Sequence, residues 1–226
     1  MKITLIDAGK RFNRDWIFRH LSYEFFPRQH YAITGPNGSG KSTLLQVIAG
    51  AIGISEGSIR YGQASTAAPA STAPPRSTAL PRSMPATEIP PDQAYHYLSF
   101  SAPYLELIEE MTATEFLRFH HSFKPFLPSL SIPAILSAVG LEAAANKQIR
   151  FFSSGMKQRI KLAQALFSDT PVVLLDEPTT NLDAEGIALY QRLIREYSGD
   201  RLVIVSSNDV QEYDFCEKVI NITAYK

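Results

Sequence analysis

The chain has 226 residues, 45% of them apolar and 19% charged, which is enough to bury one large core or two closely joined ones. Twenty-two basic and twenty-two acidic residues cancel, so no overall positive field draws it to a polyanion, and nucleic acid is not an expected partner. One cysteine, Cys216, excludes an internal disulfide and favours a reducing compartment; its plain reading is a small buried apolar residue.

The longest apolar runs, "VVLL" and "LVIV", are about a quarter of what a membrane span needs, and the N-terminus lacks the long apolar segment of a secretory signal. The expectation is a soluble globular protein with no direct membrane insertion, so any membrane connection comes through another protein.

In chain order, "KITLID" and "LSYEFF" suit half-buried strands of an antiparallel sheet. "HYAIT" then leads as a short apolar run into "GPNGSGKST", residues 35 to 43, and "STLLQVIAG" puts Leu44, Leu45, Ile48 and Ala49 on one helical face with Gly50 as C-cap. This reads as strand, loop, helix. Residues 63 to 93 differ in kind: Pro, Ala, Ser and Thr supply 22 of 31 positions, and Ser65, Ser71, Ser77 and Ser83 recur every six residues. Without glycine or aliphatic content to stack, that period does not read as a β-solenoid. It reads as a solvated insertion leaning towards polyproline II, with a docking arm or a glycosylated stalk as alternatives.

Beyond it, "YHYLSF" reads as a strand, and residues 104 to 149 carry helical periodicity, including "ATEFLRFHHSF" and "IPAILSAVGLEAAA". His120 and His121 are adjacent on such a helix, point about 100 degrees apart, and make a poor metal pair. Then follow a helix ("MKQRIKLAQALF"), a strand ("PVVLLDE"), a helix ("AEGIALYQRLIREY") and a strand ("RLVIVSS"). Strands alternating with helices predict a parallel sheet, and their continuous apolar character predicts burial on both faces.

The glycine turn fits the phosphate-loop pattern from Gly35 to Ser42. Successive backbone N–H groups can cradle a triphosphate only where the chain bends through conformations glycine tolerates, which Gly35, Gly38 and Gly40 permit. Lys41 places a charge at the β- and γ-phosphates, Ser42 offers a hydroxyl to Mg²⁺, and the following helix points its positive end at the phosphates. "VVLLDEP" supplies the carboxylates: Asp176 for Mg²⁺ and Glu177 to activate the water that attacks the γ-phosphate. Taken alone, that pair is also compatible with two solvated acids in a strand-to-loop turn.

At this point the chain resembles the ATP-binding cassette family, because "FSSGMKQR" precedes "VVLLDEP" as that family's signature does and "TTNLD" follows as its D-loop does. The resemblance implies an α/β phosphate-loop NTPase fold: a RecA-like, mainly parallel core with an N-terminal antiparallel β subdomain (residues 1–98 and 160–226) and an inserted helical signature subdomain (99–159). It implies a head-to-tail dimer, expected to be a homodimer with a heterodimer conceivable. In it each ATP lies between one subunit's loop, with Pro36, Asn37, Ser39 and Thr43 beside the residues above, and the partner's signature, Ser153, Ser154 and Gly155, with Asp183 of the D-loop. Metal would be held by Ser42 and Asp176. An adenine-stacking aromatic is implied at Phe12, 23 residues before Gly35; Trp16 could share that role, and packing of Phe12 on the sheet is the bland alternative.

Four departures stand out. Ser154 replaces a glycine and Met156 a glutamine in the signature, Asn208 stands where the family has its switch histidine, and Ser101 where it has a catalytic glutamine. Asn208 can donate a hydrogen bond but cannot carry a proton. Slow but real hydrolysis is expected, with Glu177, Asn208 and Ser101 as the catalytic set. The family implies the ATPase subunit of a transporter, peripheral on the inner face of the cell membrane through a permease whose coupling helices meet residues 99 to 152. The alternatives are a soluble cassette ATPase, for instance of the iron-sulfur type, and a low-turnover regulatory ATP-binding module.

Overall fold

Two long strands of alternating burial, Lys2–Phe12 (β1) and Asp15–Phe25 (β2), pair antiparallel across a tight turn. Glu56–Gly62 (β4) pairs with the other edge of β1, and Glu88–Ile89 (β5) with β4, giving the order β2-β1-β4-β5. This computed structural model describes residues 1–62 and 88–226, so most of the Pro/Ala/Ser/Thr stretch lies outside the described residues. Of its last six positions, five are exposed as a solvated insertion predicts and one is not. Ile89 is buried in the β4–β5 pair, and the Pro90-Pro91 step opens a 3-10 turn over Pro91–Tyr97, so "YHYLSF" is a strand only from Leu98.

The second sheet is parallel, in the order β6-β7-β8-β3-β9, from Leu98–Ser101 (β6), Val172–Asp176 (β7), Leu202–Ser206 (β8), His30–Thr34 (β3) and Lys218–Asn221 (β9). Every residue of β7 and β8 is buried, as their unbroken apolar character requires. Successive side chains go to opposite faces. Val172, Leu174, Leu202 and Ile204 join one core with the antiparallel sheet and helix Lys41–Ile48 (α1). Val173, Leu175, Val203 and Val205 join the other, with helices Ala113–Phe123 (α2), Ile132–Ala138 (α3), Ser154–Leu166 (α4) and Ala184–Tyr197 (α5).

The helix predicted from Ile132 stops at Ala138 because Gly140 takes φ 67°, turning the chain before "LEAAA". Helix α4 runs unbroken across residues 159 and 160, where the sequence reading divides core from helical segment. Cys216 is partly buried against the second core. Because β3, β6, β7 and β8 are all parallel, the loops leaving their C-terminal ends gather at one edge of the sheet, where such folds bind ligands.

Candidate functional site

The loop between β3 and α1 is shaped by glycines that nothing larger could replace. Gly40 sits at φ 103°, and a Cβ there would come within 2.3 Å of Ile17 Cγ2, so β2 presses directly on the turn. Gly35, at φ 146°, would clash with Ile222 and Ser39, each at 2.8 Å. A Ser39 N–H to Pro36 C=O bond of 3.0 Å closes the turn.

Helix α1 begins at Gly40 with no side-chain cap. Side chains cap each of the other four α-helices: Thr112 caps α2, Ser131 α3, Ser153 α4 and Asp183 α5. The first N–H groups of α1 are therefore left for a ligand, with the positive end of the helix behind them. Lys41, 5% exposed, donates from Nζ to Gly35 O at 2.9 Å and Pro36 O at 3.3 Å. An ammonium has three donors. These two contacts hold it at the loop and leave one N–H free for an anionic oxygen.

Glu177 follows β7 at φ 41°, in the left-handed region that costs a non-glycine residue roughly 1 kcal/mol. It is held there by its N–H on Ser206 O at 2.8 Å and by Thr180 N–H on its own C=O at 3.1 Å. The side chain lines a cleft with Lys41, Ser42 and Thr43, and a second one with Thr179 and Asn208. Asn208 Nδ2 donates to Asn37 Oδ1 at 2.7 Å, tying the switch position to the phosphate loop itself.

The carboxylate of Asp176 is 1% exposed, and its Oδ1 has no hydrogen-bond partner; the buried Ser39 and Ser206 hydroxyls are likewise unpartnered. A buried carboxylate oxygen without a donor is strongly disfavoured unless a cation meets it. One carboxylate beside a hydroxyl and phosphate oxygens is the kind of hard, oxygen-rich set a small divalent ion takes. Among the described residues no cluster of three or more His, Cys, Asp or Glu forms an all-protein metal cage.

Ser101 is fully buried at the end of β6, and its hydroxyl, like those of Ser39 and Ser206, is unpartnered. It falls in register with Leu175, whose side chain belongs to the α4-side core, whereas Asp176 continues the Val172, Leu174 series on the α1 side. Alternation along the strands thus sends Ser101 and Asp176 to opposite faces. Further along this segment the Tyr104 hydroxyl accepts from Gln46 Nε2 at 2.9 Å. Burial, together with the Asp176 charge and against a Gln46 hydrogen bond, pushes that phenol up to about 12.

Two further residues escaped the motif reading. Glu212 is buried and accepts from both N–H and Oγ1 of Thr179, at 2.7 and 2.5 Å, and Tyr190 Oη donates to its C=O at 2.7 Å. Burial raises its carboxyl pKa, partly countered by the Ser207 and Thr179 donors. It bridges the loops carrying Glu177 and Asn208. Gln158, 2% exposed on α4, donates to Pro178 O at 2.8 Å. A lone acid at the end of a short 3-10 turn, or a glutamine on the inner face of α4, has no motif to announce it.

The remaining predicted residues lie in two other places. Phe12 is at the tip of the β1–β2 hairpin, 47% exposed, with Lys10 Nζ 4.9 Å from its ring centre, so it does not pack on the sheet. Trp16 is covered by the Arg19 and Arg11 guanidinium groups, 4.4 and 5.5 Å from its ring, which leaves Phe12 as the open aromatic. Ser153, Ser154 and Gly155 line a separate cleft of about 380 Å³ with Asn181 and Asp183. Ser153 Oγ accepts from Met156 N–H at 3.2 Å, and a Cβ on Gly155 would sit 3.2 Å from Asn181 O. None of these residues lines the cleft of the phosphate loop.

Comparison with known proteins agrees with this geometry. The family model described as ABC transporter matches residues 18–180. The chain is 28% identical over 210 residues to the cytochrome c biogenesis ATP-binding export protein CcmA of Agrobacterium fabrum, covering 92% of this chain and 88% of that protein. It is 27% identical over 217 residues to the uncharacterized ABC transporter ATP-binding protein YybJ of Bacillus subtilis, covering 93% and 87%. Among solved structures, a dimeric ATP-binding cassette in a post-hydrolysis state bound to ADP and Pi shares the fold. Its TM-score is 0.74 and its identity 21%, over 97% of this chain and 94% of that one.

Proposed function

The chain belongs to the ABC transporter family as an ATP-binding, ATP-hydrolysing subunit, and from that premise we propose that two copies close head to tail around two Mg²⁺-ATP to drive a separate membrane permease. The observation that carries this reading is the uncapped N-terminus of α1, with Lys41 beside it and Glu177 facing it. Helix amides and Lys41 take the phosphates, and Phe12 offers an open face to the adenine. Ser42 and Asp176 hold Mg²⁺, which when bound neutralises charge on the β- and γ-phosphates.

Glu177 acts as base towards the attacking water, and Asn208 donates towards the γ-phosphate from its anchor on Asn37. Since the cleft of Ser153 and Gly155 shares no residue with the phosphate-loop cleft, a second copy is needed to bring a signature to the nucleotide. The permease has its own place: a groove of about 370 Å³ walled by Pro103, Leu107, Glu109, Lys157 and Lys161, with Lys157 ion-paired to Glu109 across it. Among the described residues no helix is long and apolar enough to cross a membrane, so the membrane portion is assigned to that partner and the subunit to the inner membrane face.

The test uses Glu177→Gln with Mg²⁺-ATP, which is expected to hold the closed pair. Gel filtration should then show a dimer, and capture from detergent-solubilised source cells should recover a multi-spanning protein. A monomer that captures only soluble proteins would overturn the transporter assignment.

A further inference from the structure

We propose that Glu212 is a positioning residue for hydrolysis: it pins the loop that carries Glu177 to the turn beyond Asn208, so that the base is held towards the phosphate-loop cleft. Two donors of one residue meet a single oxygen. Thr179, two positions after Glu177, gives Glu212 Oε1 its N–H at 2.7 Å and its Oγ1–H at 2.5 Å. Thr179 and Glu212 are 8% and 3% exposed, so removing the carboxyl leaves two buried donors unpaired. One cleft of about 250 Å³ is lined by Glu212, Thr179, Glu177 and Asn208 together.

The Glu212 side of this tie is itself anchored. Its N–H donates to Asp209 O at 3.0 Å, closing the 3-10 turn Val210–Glu212, and Tyr190 Oη of α5 donates to its C=O at 2.7 Å. Asp209 N–H is bound in turn by Ser207 Oγ at 2.8 Å, so the chain is fixed on both sides of Asn208. The Glu177 side needs such a frame, because a φ of 41° persists only where surrounding contacts over-determine it. Those contacts are Glu177 N–H on Ser206 O, Thr180 N–H on Glu177 O, Gln158 Nε2 on Pro178 O, and the Thr179 pair on Glu212. Of these, only the Thr179 pair ties the loop to the turn beyond Asn208. Burial raises the Glu212 carboxyl pKa, yet the geometry asks only for an acceptor oxygen, which a glutamine also has. The inference rests on the reading that Glu177 is the base.

The test is steady-state ATP turnover of the full chain with Mg²⁺, beside ATP affinity from calorimetry. Glu212→Ala should lower kcat by roughly 10- to 100-fold through misplacement of the base, with ATP affinity within about twofold of wild type. Glu212→Gln keeps an acceptor oxygen and should hold kcat within about threefold of wild type. Thr179→Val keeps the backbone N–H bond and loses the hydroxyl one, so a smaller fall of about threefold or more is expected; it carries the test should Glu212→Ala fail to fold. Because Glu212 acts through Glu177, adding Glu212→Ala to Glu177→Gln should cost no further turnover.

A wild-type kcat in Glu212→Ala, with or without a loss of thermal stability, would overturn the assignment. So would a Glu212→Gln chain as slow as Glu212→Ala, or losses that multiply in the double variant. Glu177→Gln alone separates this from the underlying reading. If it turns ATP over at the wild-type rate, the base itself is misassigned; if it is slow while Glu212→Ala and Thr179→Val are not, only the role of Glu212 falls.

Discussion

The N-termini of α1 and α4 meet the same physical demand, unpaired backbone donors, and meet it in opposite ways. At α1 the entering loop is exposed at Pro36, Asn37 and Gly38 but buries Ser39 and Lys41, turns through positive φ at Gly35 and Gly40, and leaves the helix amides uncapped. At α4 the entering serines are exposed and Ser153 caps the helix itself. The first is a site within one chain. The second is a finished helix end, which in the proposed dimer meets a ligand that the other copy presents. A tight glycine turn around a buried lysine thus marks the half of the proposed nucleotide site that is preorganised, and a capped, exposed helix end marks the half proposed to dock.

The sharpest way to divide the two ends is chemistry. Glu177→Gln should lower ATP turnover by roughly 100-fold or more while leaving ATP binding nearly unchanged, read by phosphate release against equilibrium binding. Lys41→Ala removes a charged donor from the phosphates and should weaken ATP binding by about 10- to 100-fold, measured by calorimetry; an equal loss in Ser153→Ala would erase the distinction.

Glycine substitutions probe the same contrast through stability. Gly40→Ala, at φ 103° and against Ile17, should cost roughly 2 kcal/mol or more in urea unfolding. Gly155→Ala, whose Cβ meets only Asn181 O at 3.2 Å, should stay within about 1 kcal/mol of wild type because the gain in helix propensity offsets the tight contact.

The helical side should also yield first to acid. His120 on α2 contacts Ser168, and burial, with help from Lys124 and His121, lowers its pKa from 6.5 to about 4. The fold therefore prefers the neutral ring: its contribution is complete above about 6.5 and is lost as pH falls towards 4. Unfolding free energy should drop by about 2 kcal/mol from this group between pH 7 and pH 5, and His120→Gln should flatten that slope. The smallest effect belongs to Ser153→Ala, which should cost about 1 kcal/mol as a lost cap and be seen as a shift in the urea midpoint.

Much of the phosphate-loop end was legible because its chemistry is local. Gly35 to Thr43, Asp176 and Glu177 are contiguous runs whose residue types follow from phosphate and metal contact, and the strands beside them are marked by unbroken apolar sequence. The place of Ser101 in the motif says nothing about which face of the sheet it occupies; the register with Leu175 does. Tyr104, Gln46, Glu212 and Gln158 were not legible, since each is bonded to a residue between 20 and 58 positions away, through contacts that only the assembled layers create.

Composition, motif spacing and hydrophobic period were sufficient for the fold class, the parallel sheet buried on both faces and the identity of the phosphate-binding turn, because these depend on neighbours along the chain. The pairing of β1 with β4, the insertion of β3 between β8 and β9, the burial of Asp176 with a free oxygen and the tether of Asn208 to Asn37 depend on neighbours in space. Long-range packing chooses among many compatible arrangements by excluding water from one of them, and no local pattern records that choice.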